Sequence, residues 1–267
     1  LSFGLCLPKP QQHKEFTPMA GHSKWKQIKR KKAVTDSRRA SAWTKVIREI
    51  TVAARAGGGD PDGNPRLRLA VDAARAVNMP KDNIERAIKK GTGALAGESY
   101  EELTYEGYGP GGAAIFVEAT TDNANRTVAE IRHAFSRNGG NLGASNSVGW
   151  MFDRKGQIYV DANRHAEDAT LEAALEAGAE DFARDGDQYV ITTQPASIHA
   201  VQDALRAGGV TVESAELAMV PRNSVKVEGA DAERMLKLIE ALEELDDVSK
   251  VFSNFDIDAA ALAEAEA

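Results

Sequence analysis

At 267 residues, with 42% hydrophobic and 27% charged positions, the chain has room for about two domains, or three small ones, of ordinary globular composition. Its one cysteine, Cys6, excludes a disulfide framework and a cysteine zinc site, and no apolar run approaches the ~20 residues that span a bilayer. The formal charge of −7 hides an inversion: residues 19–95 carry 18 Lys+Arg against 7 Asp+Glu, whereas residues 96–267 carry 13 against 32. A basic module for a polyanion, joined to an acidic body, is the reading this polarity favours, in a reducing, cytoplasmic compartment.

Residues 1–18 are read as a disordered leader outside the fold. Leu1 to Leu7 is apolar but short and has no preceding cation, unlike a secretory signal, and the absence of Arg disfavours a mitochondrial transit peptide. Met19 is read as the natural start. Residues 24–39 then place Lys24, Lys26, Lys29, Arg30, Lys31, Lys32, Arg38 and Arg39 against a single acid, Asp36. A solvated helix face explains most short charge runs. The size of the swing, with Trp25 and Trp43 nearby, favours nucleic acid.

Three helices are expected in the basic module. Asp36 is a candidate N-cap for a helix whose Ala40, Trp43, Val46, Ile47, Ile50 and Ala54 share one face and which stops at Gly57–Gly59. Asn64 caps and Pro65 opens a second helix carrying Leu67, Ala70, Val71, Ala74 and Val77. A third runs over about 81–90, with Ile84 and Ile88 inward and Gly91 as its stop. Residues 92–99 read as a linker.

Beyond the linker the pattern becomes strand plus helix. Strands are expected at 113–121, 147–153, 157–161, 188–193, 210–213, 224–227 and 248–255, and helices at 125–138, 166–177, 196–207 and 231–245. Residues 117–140 and 190–209 echo each other as strand, Thr-Thr, helix, Gly-Gly. The expected fold class is therefore α+β and multidomain: a small N-terminal helical bundle over 19–95, then two ferredoxin-like α/β domains, one inserted in the other. Residues 100–153 plus 215–256 would form the outer domain, 154–214 the insert, and 257–267 a frayed tail.

Motifs for chemistry are sparse. Gly107-Tyr-Gly109-Pro-Gly111-Gly112 satisfies G-x-G-x-x-G as a string, but it precedes a β-rich run and contains Pro110, so a tight turn opening a strand is the better reading. His22, His133, His165 and His199 lack a nucleophile-and-acid signature, and no set has metal-ligand spacing. Glu243, Glu244, Asp246 and Asp247 cluster at a helix end and read as a solvated face. Within 121–127, Asp122, Asn123 and Asn125 suit a turn or helix cap. Arg126 in the first helical turn opposes the helix dipole, which points to a partner carboxylate or phosphate. Asn123, Asn125 and Arg126 are kept as a secondary contact. No catalytic residue, metal or cofactor is expected.

Several long strings resemble the YebC family: Met-Ala-Gly-His-Ser-Lys-Trp at 19–25, followed by Ile28, Lys29 and Lys32; Thr-Lys-Val-Ile-Arg-Glu-Ile at 44–50; Asn-Met-Pro-Lys-Asp-Asn-Ile at 78–84; Tyr-Glu-Gly-Tyr-Gly-Pro-Gly-Gly at 105–112; and the stretches 121–127 and 138–142. Position 43 is Trp where relatives are expected to carry Phe. The resemblance implies a helical N-terminal domain plus two α/β domains. It also implies a DNA-binding transcriptional regulator or, as for mitochondrial and bacterial relatives, a translational activator or ribosome-associated factor. It carries over His22, Ser23, Lys24, Trp25, Lys26, Lys29, Lys32, Arg38 and Lys45 as a binding surface, to which the charge pattern adds Arg30, Lys31 and Arg39.

The expected function is thus a non-enzymatic nucleic-acid-binding regulator of gene expression, with no membrane or small-molecule partner. Ribosomal RNA is favoured over promoter DNA, because a Lys/Arg arm with an aromatic suits folded or single-stranded RNA and an acidic body repels a long duplex. The alternatives are promoter DNA and, behind it, a module that binds an acidic protein partner.

Overall fold

The computed structural model describes residues 36–97 and 99–257. Helices α1 (Asp36–Gly57), α2 (Pro65–Ala76) and α3 (Lys81–Gly91) form the first unit. Their apolar stripes meet in one core, with Ile50, Ala53 and Ala54 of α1 against Leu67, Val71 and Ala74 of α2 and Ile84 of α3. Asn64 ties the first two helices together. Its side-chain oxygen accepts from the Leu67 N–H at 3.1 Å, while its amide donates to the carbonyls of Ala53 at 2.8 Å and Gly58 at 2.9 Å. A Cβ at Gly91 would collide with the Thr51 carbonyl oxygen, so α3 crosses α1 at backbone distance only because position 91 is glycine.

The second unit opens with an antiparallel hairpin, β1 (Glu101–Tyr108) and β2 (Ala114–Thr121), followed by α4 (Ala124–Arg137) and the short β3 (Asn141–Leu142). The chain then leaves for a third unit: β4 (Phe152–Asp161), α5 (Glu167–Glu176), β5 (Asp181–Asp185), β6 (Gln188–Thr193), α6 (Ile198–Ala207) and β7 (Val212–Pro221). It returns through β8 (Val225–Lys226), α7 (Gly229–Glu244), β9 (Val248–Ser253) and β10 (Phe255–Asp256). The outer sheet has order β3-β1-β2-β9 and the inserted sheet β5-β6-β4-β7, while β8 and β10 form a parallel pair. The insert is a βαββαβ split unit. The outer domain has the same two layers, with α4 and α7 covering one face of the sheet over Ile115, Val117, Val248 and Val251. Its other face places Phe116 and Phe252 against Phe152 and Ala218 of the insert, so the two α/β domains share an apolar seam.

The expected fold class, a helical bundle followed by two ferredoxin-like domains with one nested in the other, is the observed one. Several local expectations differ. The insert's strands span 152–221 rather than 154–214, because β7 pairs with β4 from Val212 to Pro221 without a break at 215. Residues 147–153 and 157–161 are not two strands. A 3₁₀ turn at Gly149–Met151 leads into the single strand β4, which continues through Gly156, a position where a Cβ would strike the Thr193 hydroxyl of the paired strand. Strands β1 and β5 were not anticipated, since Glu-Glu-Leu-Thr-Tyr-Glu-Gly-Tyr and Asp-Phe-Ala-Arg-Asp are too polar to show an apolar alternation.

The glycine-rich string joins two antiparallel strands through a 3₁₀ turn at Pro110–Gly112 and opens no helix. Gly109 has φ −89°, an ordinary extended value; what fixes it is space, since a Cβ would lie 2.6 Å from the Met235 sulfur. Gly111 is different, with φ +71° and the Val227 methyls at 3.2 Å from an added Cβ. Gly111→Ala is therefore expected to cost about 1 kcal/mol or more. The shift in urea midpoint measures it, and an unchanged midpoint would show that the turn relaxes at no cost.

Candidate nucleic-acid interface

The basic module is clamped onto both α/β domains, and the clamp uses four of its cations. From α1, Lys45 Nζ donates to the Glu243 carbonyl at 2.5 Å. Arg48 donates to the Asp246 carbonyl at 2.7 Å and to Asp247 Oδ1 at 2.6 Å. From α2, Arg66 holds Glu49 at 2.9 Å and is forked onto Glu102 of β1, which keeps the Glu102 carboxyl below the usual carboxylate range. Arg68 meets both oxygens of Asp203 in the insert at 3.1 Å, and His199 shares a 2.9 Å hydrogen bond with the Pro65 carbonyl.

Asp247 is the centre of this clamp. Its side chain is 3% exposed, and four side chains converge on it. Besides Arg48, these are Thr121 at 3.1 Å, Thr127 at 2.7 Å and Arg126, whose guanidinium reaches Oδ2 at 2.7 Å. Burial acts to raise this carboxyl. The hydrogen bonds from Arg126, Thr127, Arg48 and Thr121 outweigh it and hold the group below its ordinary range. The expected solvated face at the end of α7 is thus corrected for Asp247: it is a buried counterion joining α1, α4 and the turn before β9. Arg126 finds the carboxylates its position called for, with Asp122 at 2.7 Å as the second. Asn123 is the N-cap of α4, accepting from the Arg126 N–H at 3.1 Å, and Asn125 is exposed on the same turn.

Where the three units meet, a cleft of about 420 Å³ opens. Its walls match Lys45, Arg66, Arg154 and Lys250 against Glu49, Glu102, Glu118 and Glu216. Burial raises the Glu118 carboxyl, partly offset by Lys250 and Arg154. Balanced walls give no net attraction for a polyanion. The surface that can serve one is the outside of the basic module. There Arg86, Lys89 and Lys90 on α3 are exposed, and no ion pair engages them among the described residues. Sequence reading passed over these three because they are spaced as an ordinary polar helix face. Of the residues singled out from sequence, His22, Ser23, Lys24, Trp25, Lys26, Lys29, Arg30, Lys31 and Lys32 lie outside the described residues. Arg38 and Arg39 fall in the first turns of α1, and their side chains lie outside them too. Of the basic-module residues Lys45 alone is placed, in the clamp, and the secondary set of Asn123, Asn125 and Arg126 lies at the start of α4.

Two family models account for nearly all of the described chain. The TACO1/YebC protein N-terminal domain matches residues 23–94, and the TACO1/YebC second and third domain matches residues 100–255. The chain belongs to the TACO1/YebC family. Among its relatives, a "Probable transcriptional regulatory protein" of Gemmatimonas aurantiaca is 60% identical over 247 residues, 92% of this chain and all of that one. A protein of the same description from Desulforapulum autotrophicum is 55% identical over 90% of this chain and 97% of its own. The crystal structure of a conserved hypothetical protein, Aq1575, from Aquifex aeolicus matches with a TM-score of 0.82 at 49% identity, covering 88% of this chain and 97% of that one. In this family member the division between the two matched models falls in the linker after α3, so the clamp of Lys45, Arg48, Arg66 and Arg68 bridges the two. Among the described residues, no helix is long and apolar enough to cross a membrane.

Proposed function

We propose that this TACO1/YebC protein is a non-enzymatic regulator of gene expression that binds nucleic acid through its basic N-terminal module, with ribosomal RNA as the target. The observation that carries this reading is the charge inversion, 18 cations against 7 acids over residues 19–95. Four of those cations are taken up by the clamp, Arg55 is engaged by Ser99 and Tyr100, and Arg75 and Lys81 pair with Asp72 and Glu85, so the cations of residues 24–39 together with Arg86, Lys89 and Lys90 are the ones offered to an external polyanion. Docking against the acidic α/β body also limits how a long duplex could wrap the module, since phosphates approaching that body are repelled. A folded RNA with single-stranded segments avoids this conflict.

Deleting residues 19–32 is expected to abolish co-sedimentation with ribosomes, while crosslinks of the parent protein concentrate in ribosomal RNA. A second reading, promoter DNA, is favoured by the relatives described as transcriptional regulatory proteins. Enrichment at promoters without ribosomal crosslinks would decide for it. Partners that persist after nuclease and high salt would instead indicate an acidic protein.

A further inference from the structure

Trp150 is 65% exposed, yet the loop that presents it is held by a set of buried and half-buried hydrogen bonds. The Glu106 carboxylate, itself buried, accepts three backbone N–H groups of that loop: Asn146 at 2.9 Å, Val148 at 2.7 Å and Gly149 at 2.7 Å. The Tyr108 hydroxyl donates to the Ser147 carbonyl at 3.0 Å, and the Trp150 indole N–H donates to the same oxygen at 3.1 Å. Val148, fully buried in the seam between the α/β domains, pins the loop from beneath. An indole has a large apolar area to hide, and a loop free to move would fold it inward. Here a buried carboxylate and a buried valine fix the loop so that the ring stays in solvent.

A second exposed segment meets this loop. The Arg222 N–H donates to the Met151 carbonyl at 2.8 Å, bringing exposed Arg222, Asn223 and Ser224 beside it. The Arg222 guanidinium is oriented by Asp153, through Nε at 3.1 Å and a terminal nitrogen at 2.7 Å, both to Oδ1. Two bonds leave donors on its far edge for another acceptor. The other large exposed apolar side chains among the described residues, Leu95 and Leu175, lie after α3 and on α5, so neither shares the Trp150 loop. A fixed, exposed aromatic next to a segment carrying Arg222, Asn223 and Ser224, on a chain whose N-terminal module is strongly basic, matches a stacking platform for an unpaired base with a guanidinium on the neighbouring segment for phosphate.

We infer that the loops at 143–151 and 222–224 form a second nucleic-acid contact, in which Trp150 stacks on an unpaired base of a single-stranded segment. This deepens the proposed function and rests on it, because the basic module would hold phosphates while this site selects strands with free bases. The full-length protein, its Trp150→Ala and Trp150→Phe variants, and two probes test it: an unstructured RNA of about 12 nucleotides, within the length such sites cover, and a blunt RNA duplex of the same length. Trp150→Ala is expected to weaken single-strand binding about tenfold, leave duplex binding and the salt slope unchanged, and leave the melting temperature within a degree or so of the parent. Trp150→Phe should restore most of the loss. In a Trp25→Phe, Trp43→Phe background, the emission of Trp150 should be quenched by the single strand and not by the duplex. Equal loss on both probes, or no loss on either, overturns the inference and leaves the basic module's role standing. Ribosome binding that depends on Trp150 while single-strand binding does not would assign the indole to a protein pocket and also overturn it. A parent protein that binds neither probe overturns this inference and the proposed function together.

Discussion

Replacing Asp247 with Ala is expected to destabilise the protein by about 3–5 kcal/mol, because it leaves the largely buried Arg48 guanidinium without its carboxylate, while Arg126 keeps only Asp122. Arg48 and Arg126 both reach this carboxylate, from helices in different domains, and Thr121 and Thr127 complete its hydrogen bonds. Asp247→Asn keeps the shape and removes the charge, so a large loss in that variant as well would show that the ion pairs rather than packing carry the effect. Urea unfolding measures the loss. Limited proteolysis in the linker after α3 would report whether the basic module comes away first, as expected when Arg48 loses its anchor. The pH dependence has a fixed sign. The folded carboxyl lies below its unfolded value of about 3.9, so its contribution is complete above about pH 4 and is lost as pH falls through the folded value. A variant whose stability and acid profile both match the parent would remove Asp247 from its central role.

Neutralising Lys29, Arg30, Lys31 and Lys32 together should weaken nucleic-acid binding by a similar factor on every sequence offered, since phosphate contacts position a protein without reading bases. If about six phosphates are engaged by the parent, its affinity should fall on the order of 10³-fold between about 50 and about 200 mM salt. The quadruple Ala variant should bind weakly already at low salt and show a shallower slope. Fluorescence anisotropy across a salt series measures both quantities. The variant should keep the parent's unfolding midpoint, because the clamp onto the α/β body uses Lys45, Arg48, Arg66 and Arg68 and none of the substituted residues. Tight binding with an unaltered slope would place the polyanion elsewhere, with the exposed cations of α3 next in line.

The amino-acid sequence by itself determined the helices, the linker, the two-domain α/β body and the charge polarity. Each of these is written in local periodicity, capping residues and counts. Asn64-Pro65 announced the start of α2, and Gly91 the close of α3, because turn and cap geometry depend on a few adjacent residues. The resemblance of strings such as 19–25 and 105–112 pointed to the family before any contact was known.

Tertiary structure decided what the charges do. Asp247 and its neighbours looked like a solvated helix end, and nothing within ten residues of it shows that Arg48 and Arg126 arrive from 199 and 121 residues away. Lys45 looked like part of a nucleic-acid surface, and it donates instead to a carbonyl at the end of α7. Glu106 sits in a strand too polar to be anticipated, buried and holding a loop 40 residues away. Local patterns report which residues prefer a helix, a strand or a turn. They do not report which charges find partners across domains, because a salt bridge depends on distances that only the packed chain sets, and that pairing decides whether a cation fastens the fold or remains for a partner.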